Sequence, residues 1–135
     1  MRRFAFALFM VTLAGCGYSS QPRIAPAVPI VTPPIELTSA QIKVVQGAVI
    51  NSLKDPGSAQ FGEIKAVKNE GTSNELVLAC GWVNAKNSFG GYVGSSPFMV
   101  LYSKHLNKAD VIKMGGNEMV NFQIQNRCLE KGIRL

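Results

Sequence analysis

Five of the seven prolines, Pro22, Pro26, Pro29, Pro33 and Pro34, fall between Gly17 and Leu37. Proline has no N–H to donate and fixes φ, so this stretch is closed to regular helix and to the inner strands of a sheet. The chain of 135 residues is thereby cut in three: a leader over 1–15, a Pro-rich segment over 16–37, and a remainder over 38–135 that must supply the core. The Pro-rich segment is expected to be an extended spacer rising ~3 Å per residue, with a reach on the order of 60 Å. Ile24, Val28, Ile30, Val31 and Ile35 are more apolar surface than a spacer needs, and packing on the chain's own domain is the expectation for them.

The leader has the layout of an export signal. Arg2 and Arg3 precede an apolar run from Phe4 to Leu13, too short to cross a bilayer, which needs about 20 residues. The run closes on Leu13-Ala14-Gly15-Cys16, which resembles the bacterial lipobox. That resemblance implies cleavage before Cys16, a diacylglycerol thioether and an N-acyl chain on that cysteine, and hence anchoring to membrane lipid. Gly17 stands where an Asp would imply retention in the inner membrane, so the implied address is the outer membrane, facing the periplasm. The parity of the cysteines agrees. Three are present, and an exported protein with an odd number leaves one thiol over. Lipidation of Cys16 leaves Cys80 and Cys128 free to pair; the alternative is two buried free thiols.

Apolar residues make up 47% of the chain, enough for a buried core. The net charge of +6 falls to +4, 12 cations to 8 acids, once Arg2 and Arg3 are set aside with the leader. An excess of this size suits a neighbour of an anionic membrane surface and points to no nucleic-acid partner.

Within 38–135 the fold class is expected to be α+β, a small antiparallel sheet of three to four strands covered by an N-terminal and a C-terminal helix. Thr38 and Gln41 form a T-x-x-Q capping box, and Ile42, Val45, Val49 and Leu53 follow at helical spacing, with Asp55-Pro56-Gly57 as the stop. Ile64 and Ala66 suggest a first strand. Glu75 to Asn84 is the clearest strand: Leu76, Leu78, Cys80 and Trp82 alternate with Val77, Ala79 and Val83, so both faces are apolar and its place is central. Residues 97–104 read as its partner and 110–114 as a short last strand. Val120, Ile124 and Cys128 make a helical stripe capped by Asn117, although Val120, Phe122 and Ile124 also alternate as a strand would. Cys80 and Cys128 both fall on faces expected to be buried.

Residues 80–98 differ in kind from the rest. Asn84, Lys86, Asn87, Ser88, Phe89, Gly90, Gly91 and Tyr92 combine amides, glycines and aromatics in a connection longer than a tight hairpin requires, and no acid occurs between Cys80 and Ala109. Two readings stand side by side. In one, the glycines free backbone N–H groups, and Asn, Ser and Tyr supply hydrogen bonds to a glycan, a peptide strand or an anionic group. In the other, the glycines meet positive-φ demands of a structural hairpin, and Phe89 and Tyr92 fold back over the sheet. The block Asp55-Pro56-x-Ser58-Ala59-x-Phe61, followed by the Cys80-Gly81-x-Val83-Asn84-Ala85-Lys86-Asn87-Ser88-Phe89-Gly90-Gly91-Tyr92 run and Pro97-Phe98, resembles a pattern in small exported proteobacterial proteins. The resemblance implies an exported domain and gives weight to the loop; it implies no reaction.

Catalytic chemistry has little to work with. His105 is the single histidine and has Lys104 beside it, and the acids are scattered near turns and element ends. A hydrolase built on Ser88 or Ser96 lacks an evident base. No CxxC pair or histidine cluster offers a metal site, and no cofactor is implied. The expectation is a lipid-anchored, non-catalytic domain that binds an envelope protein or glycan through the 84–92 loop. The alternative is a structural accessory subunit of an envelope or secretion assembly, with the Pro-rich segment also docking.

Overall fold

The computed structural model describes residues 32–69 and 75–135. The leader and Cys16 lie outside the described residues. Those that are described form an α+β unit with five strands and two helices: β1 (Pro34–Ile35), α1 (Ser39–Ile50), β2 (Gln60–Lys68), β3 (Leu76–Asn84), β4 (Ser96–Ser103), β5 (Lys108–Met114) and α2 (Glu118–Glu130). The sheet is an antiparallel meander in the order β1-β2-β3-β4-β5.

The expected three to four strands are therefore five. The additional one is Pro34–Ile35, which lies inside the stretch read as spacer and pairs with Ala66 and Val67 of β2. Its position agrees with its chemistry, since a proline that cannot donate to the ladder is accommodated at a sheet edge. Ile35 turns onto the face of the sheet that carries α1 and packs against the core there. β2 also begins earlier than Ile64. A register irregularity between Phe61 and Ile64 breaks the two-residue period, so its first residues do not alternate as a strand should.

α1 opens on the capping box: Thr38 Oγ1 accepts from the Gln41 N–H at 3.3 Å, and the Thr38 N–H donates to Gln41 Oε1 at 2.9 Å. It stops at Ile50, short of the Asp55-Pro56-Gly57 signal. The chain tightens there, with Ser52 and Leu53 N–H groups donating three residues back, while Ser52 Oγ donates to the Ala48 carbonyl at 3.2 Å. Such side-chain bonding competes with helix propagation. Leu53 still reaches the core, but from the turn.

β3 is central and buried on both faces. Val77, Ala79 and Val83 face Val45 and Val49 of α1, together with Ala66, Phe98, Val100 and Tyr102. Leu78 and Cys80 face the other way, toward Ile124 and Cys128 of α2, with Val67, Met99 and Ile133. One helix thus covers each face. Gly81 is needed between them for room: a Cβ there would stand 2.7 Å from Phe98 Cζ and 3.0 Å from the Glu63 carbonyl. The freed space lets the Phe98 ring lie over β3 and meet Phe61 edge-on, with centroids 6.0 Å apart.

The C-terminal segment is helical, as the Val120–Ile124–Cys128 stripe predicts, and Asn117 Oδ1 caps it by accepting from the Val120 N–H at 2.9 Å. Phe122, which the competing strand pattern would bury, is exposed. Cys80 and Cys128 form a disulfide, with Cα atoms 6.4 Å apart across a separation of 48 residues. It joins α2 directly to the central strand.

Candidate functional site

The β3–β4 connection begins where Asn84 ends β3. Lys86 and Tyr92 then face each other in an isolated antiparallel bridge. Inside this small loop, the Asn87 N–H donates to the Gly91 carbonyl at 2.9 Å and the Gly90 N–H to the Asn87 carbonyl at 3.0 Å. The Asn87 side chain closes it from within: Oδ1 accepts from the Phe89 N–H at 2.9 Å and from the Gly91 N–H at 3.1 Å. Gly90 sits at φ +81°, a left-handed conformation in which a side chain is strained. Asn87 and Gly90 are thus accounted for by the loop's own geometry, as the hairpin reading expects.

Phe89 departs from that reading. It does not fold back over the sheet; its side chain is 96% exposed at the tip of the loop. Tyr92 does fold partly back, at 47% exposure, with its hydroxyl accepting from Gln60 Nε2 at 3.2 Å and its ring 5.5 Å from the Lys86 ammonium. Val93 is exposed beside them. A loop whose backbone is hydrogen-bonded to itself therefore holds a phenyl ring out into water. Ser88 and Gly91 are exposed at the same turn. Asn84 is different: it is half-buried at the base of the loop, with its Oδ1 buried and without a hydrogen-bond partner.

The loop is anchored from a part of the chain that residue-by-residue reading passed over. The Lys86 N–H donates to Ser58 Oγ at 2.8 Å, and Ser58 Oγ donates in turn to the Asp55 carbonyl at 2.9 Å. Ser58 and Phe61 of the Asp55–Phe61 block thus meet Lys86 and Phe98 of the second block in space. The signal for this was present in the sequence as two separated blocks, but only the β2–β3 pairing puts them side by side.

Behind the loop lies a cleft of about 220 Å³. Leu53, Val83, Ala85 and Met114 give it an apolar floor, and Lys54, Lys86, Gly94 and Gly116 stand around it. Sequence reasoning missed it because its walls come from three separate connections: the end of α1, the β3–β4 loop and the β5–α2 turn.

His105 lies exposed in the 104–107 turn, beyond the end of β4 opposite to Ser96. At ~3.3 Å per residue that strand separates the two by more than ~20 Å. Among the described residues, no three His, Cys, Asp or Glu side chains gather as metal ligands, and no helix is long and apolar enough to cross a membrane. Comparison of the chain with protein-family models, with curated proteins and with solved structures finds no match in any of the three.

Proposed function

We propose that this protein is a membrane-held, non-catalytic binding module of the bacterial envelope, which meets a protein or glycan partner through its 84–92 loop. Phe89 carries the binding part of the reading. An aromatic ring left in water is apolar surface that a partner could cover, and here the Asn87 hydrogen bonds order the backbone of the turn that presents it. A tip ordered in advance also loses little conformational entropy when a partner closes over it. Phe89, with Tyr92 and Val93 beside it and polar Ser88 and Lys86 around them, has the make-up of a small contact patch with an apolar centre.

The membrane part rests on the lipobox resemblance at Leu13-Ala14-Gly15-Cys16, with lipid on Cys16 and the Pro-rich segment as spacer. Gly17 supports the outer membrane, periplasmic side. The pairing of Cys80 with Cys128 suits an oxidising envelope compartment. The distance between His105 and Ser96 supports a non-catalytic role, since a general base must come within hydrogen-bond reach of its nucleophile.

The test uses intact cells. A photoreactive residue at position 89 is expected to capture one partner that a control at exposed Lys68 does not, and Asn87→Ala is expected to weaken that capture while Asn87→Asp, which keeps the accepting oxygen, preserves it. Equal capture from both positions would remove the contact reading. Labelled palmitate is expected to enter the protein and to be lost in Cys16→Ser; no incorporation in the unaltered chain would remove the lipid anchor, and incorporation that persists in Cys16→Ser would remove Cys16 as its site.

A further inference from the structure

We propose that the cleft behind the loop binds a small amphipathic anion, a single acidic head on a short apolar body. Its volume of about 220 Å³ exceeds that of a cavity able to hold benzene, ~150 Å³. The floor, Leu53, Val83 and Met114, offers an apolar body no hydrogen bonds but a surface to displace water from. The charged groups at its edge are of one sign. Lys54 and Lys86 line the cleft and, among the described residues, no carboxylate does, although Asp55 and Glu118 lie close by in the chain. Among the described residues, the ion pairs engage Lys65, Lys108 and Arg127, leaving Lys54 and Lys86 without an acidic partner. The Tyr92 ring, 5.5 Å from the Lys86 ammonium, is a neutral neighbour that leaves its charge in place.

A neutral apolar molecule gains the floor alone. An anion gains the floor and two ammonium groups, and a cation gains the floor against their repulsion. Because Lys54 is exposed and Lys86 only half-buried, the discrimination is several-fold and not thousands-fold. This inference goes beyond the partner contact and does not rest on it. Lys86 and Val93 belong to both surfaces, but Phe89 is not part of the cleft, so a change at Phe89 separates tip contact from cleft occupancy.

Three probes with one apolar body and different heads separate the terms: octanoate, octanol and octylammonium, titrated into the 15N-labelled full-length chain and followed by amide NMR. Saturable shifts are expected at Val83, Ala85, Gly94 and Gly116, with octanol about five-fold weaker than octanoate and octylammonium weaker again. The pair Lys54→Gln and Lys86→Gln should bring octanoate down to the level of octanol and leave octanol unchanged. A Cβ at Gly116 meets nothing within 4 Å, so Gly116→Leu is expected to fold and to obstruct all three probes. Phe89→Ser should leave octanoate affinity as it was. Equal affinity for the three heads, octanoate shifts that survive Gly116→Leu, or loss of octanoate binding in Phe89→Ser would each overturn the proposal, and the first needs no variant at all.

Discussion

On one face of the sheet, Val45 and Val49 of α1 sit in a cluster with seven buried sheet residues, ringed by partly buried neighbours that include Ile35, Leu37, Phe61 and Met114. On the other face, Ile124 and Cys128 of α2 meet a smaller set, Val67, Leu78, Cys80, Met99 and Ile133, with Val120 and Leu135 at its margin. α2 also leaves Met119, Phe122 and Leu129 exposed, so several of its large apolar side chains are not spent on the sheet. The smaller cluster carries the disulfide. The difference teaches that a small domain can hold one helix by packing alone and the other by modest packing plus a covalent tie, each at the same central strand.

The largest effect expected is the loss of that tie. Cys80→Ala with Cys128→Ala reopens a loop of 48 residues, and chain-entropy reasoning puts the loss at about 4 kcal/mol. Urea unfolding should show it, as should a Tm lower by about 20 °C. Hydrogen exchange sharpens the comparison: amides of α2 should lose protection before those of α1. Simultaneous loss in both helices would break the two-face picture.

Next in size is Val49→Ala, which empties a fully buried site under α1 and is expected to cost about 2 kcal/mol. Because Val49 and Cys128 lie on opposite faces, combining it with the disulfide deletion should add to within about 0.5 kcal/mol. Coupling above about 1 kcal/mol would mean that β3 transmits strain from one face to the other.

The helix starts come third. Thr38→Ala and Asn117→Ala each remove a side-chain acceptor from a helix N-terminus and are expected to cost about 1 kcal/mol in thermal or urea unfolding. If packing dominates under α1 and not under α2, the Asn117 change should be the more damaging one in the disulfide-free protein. The smallest expected change is Phe89→Ser, under about 0.5 kcal/mol, because the ring touches solvent and little else. A Tm drop of more than a few degrees would show that the tip serves the fold.

Much of the fold was legible residue by residue. The two apolar faces of 75–84 placed β3 at the centre, the Thr38 and Asn117 caps marked both helix starts within a residue, and two cysteines on buried faces pointed to their pairing. What was not legible has a common cause. The Pro34–Ile35 strand has no pattern of its own and exists because Ala66 and Val67 present an edge. The irregularity at Phe61–Ile64 erased the period that would have revealed the start of β2. In the loop, the composition of 84–92 marked the place, and the glycine at position 90 marked a turn, but whether Phe89 would lie on the sheet or stand clear of it depended on bonds made by Asn87.

By itself, then, the sequence determined where the two helices begin, which strand is central and that both cysteines lie on buried faces, because these follow from periodicity and capping between residues close in the chain. The order of the strands, the exposure of Phe89, the anchoring of Lys86 on Ser58 and the cleft between three connections were decided only by the tertiary structure. Each joins residues far apart in the chain, and their approach is governed by how the sheet registers and which side chains compete for its two faces, quantities that no local pattern encodes.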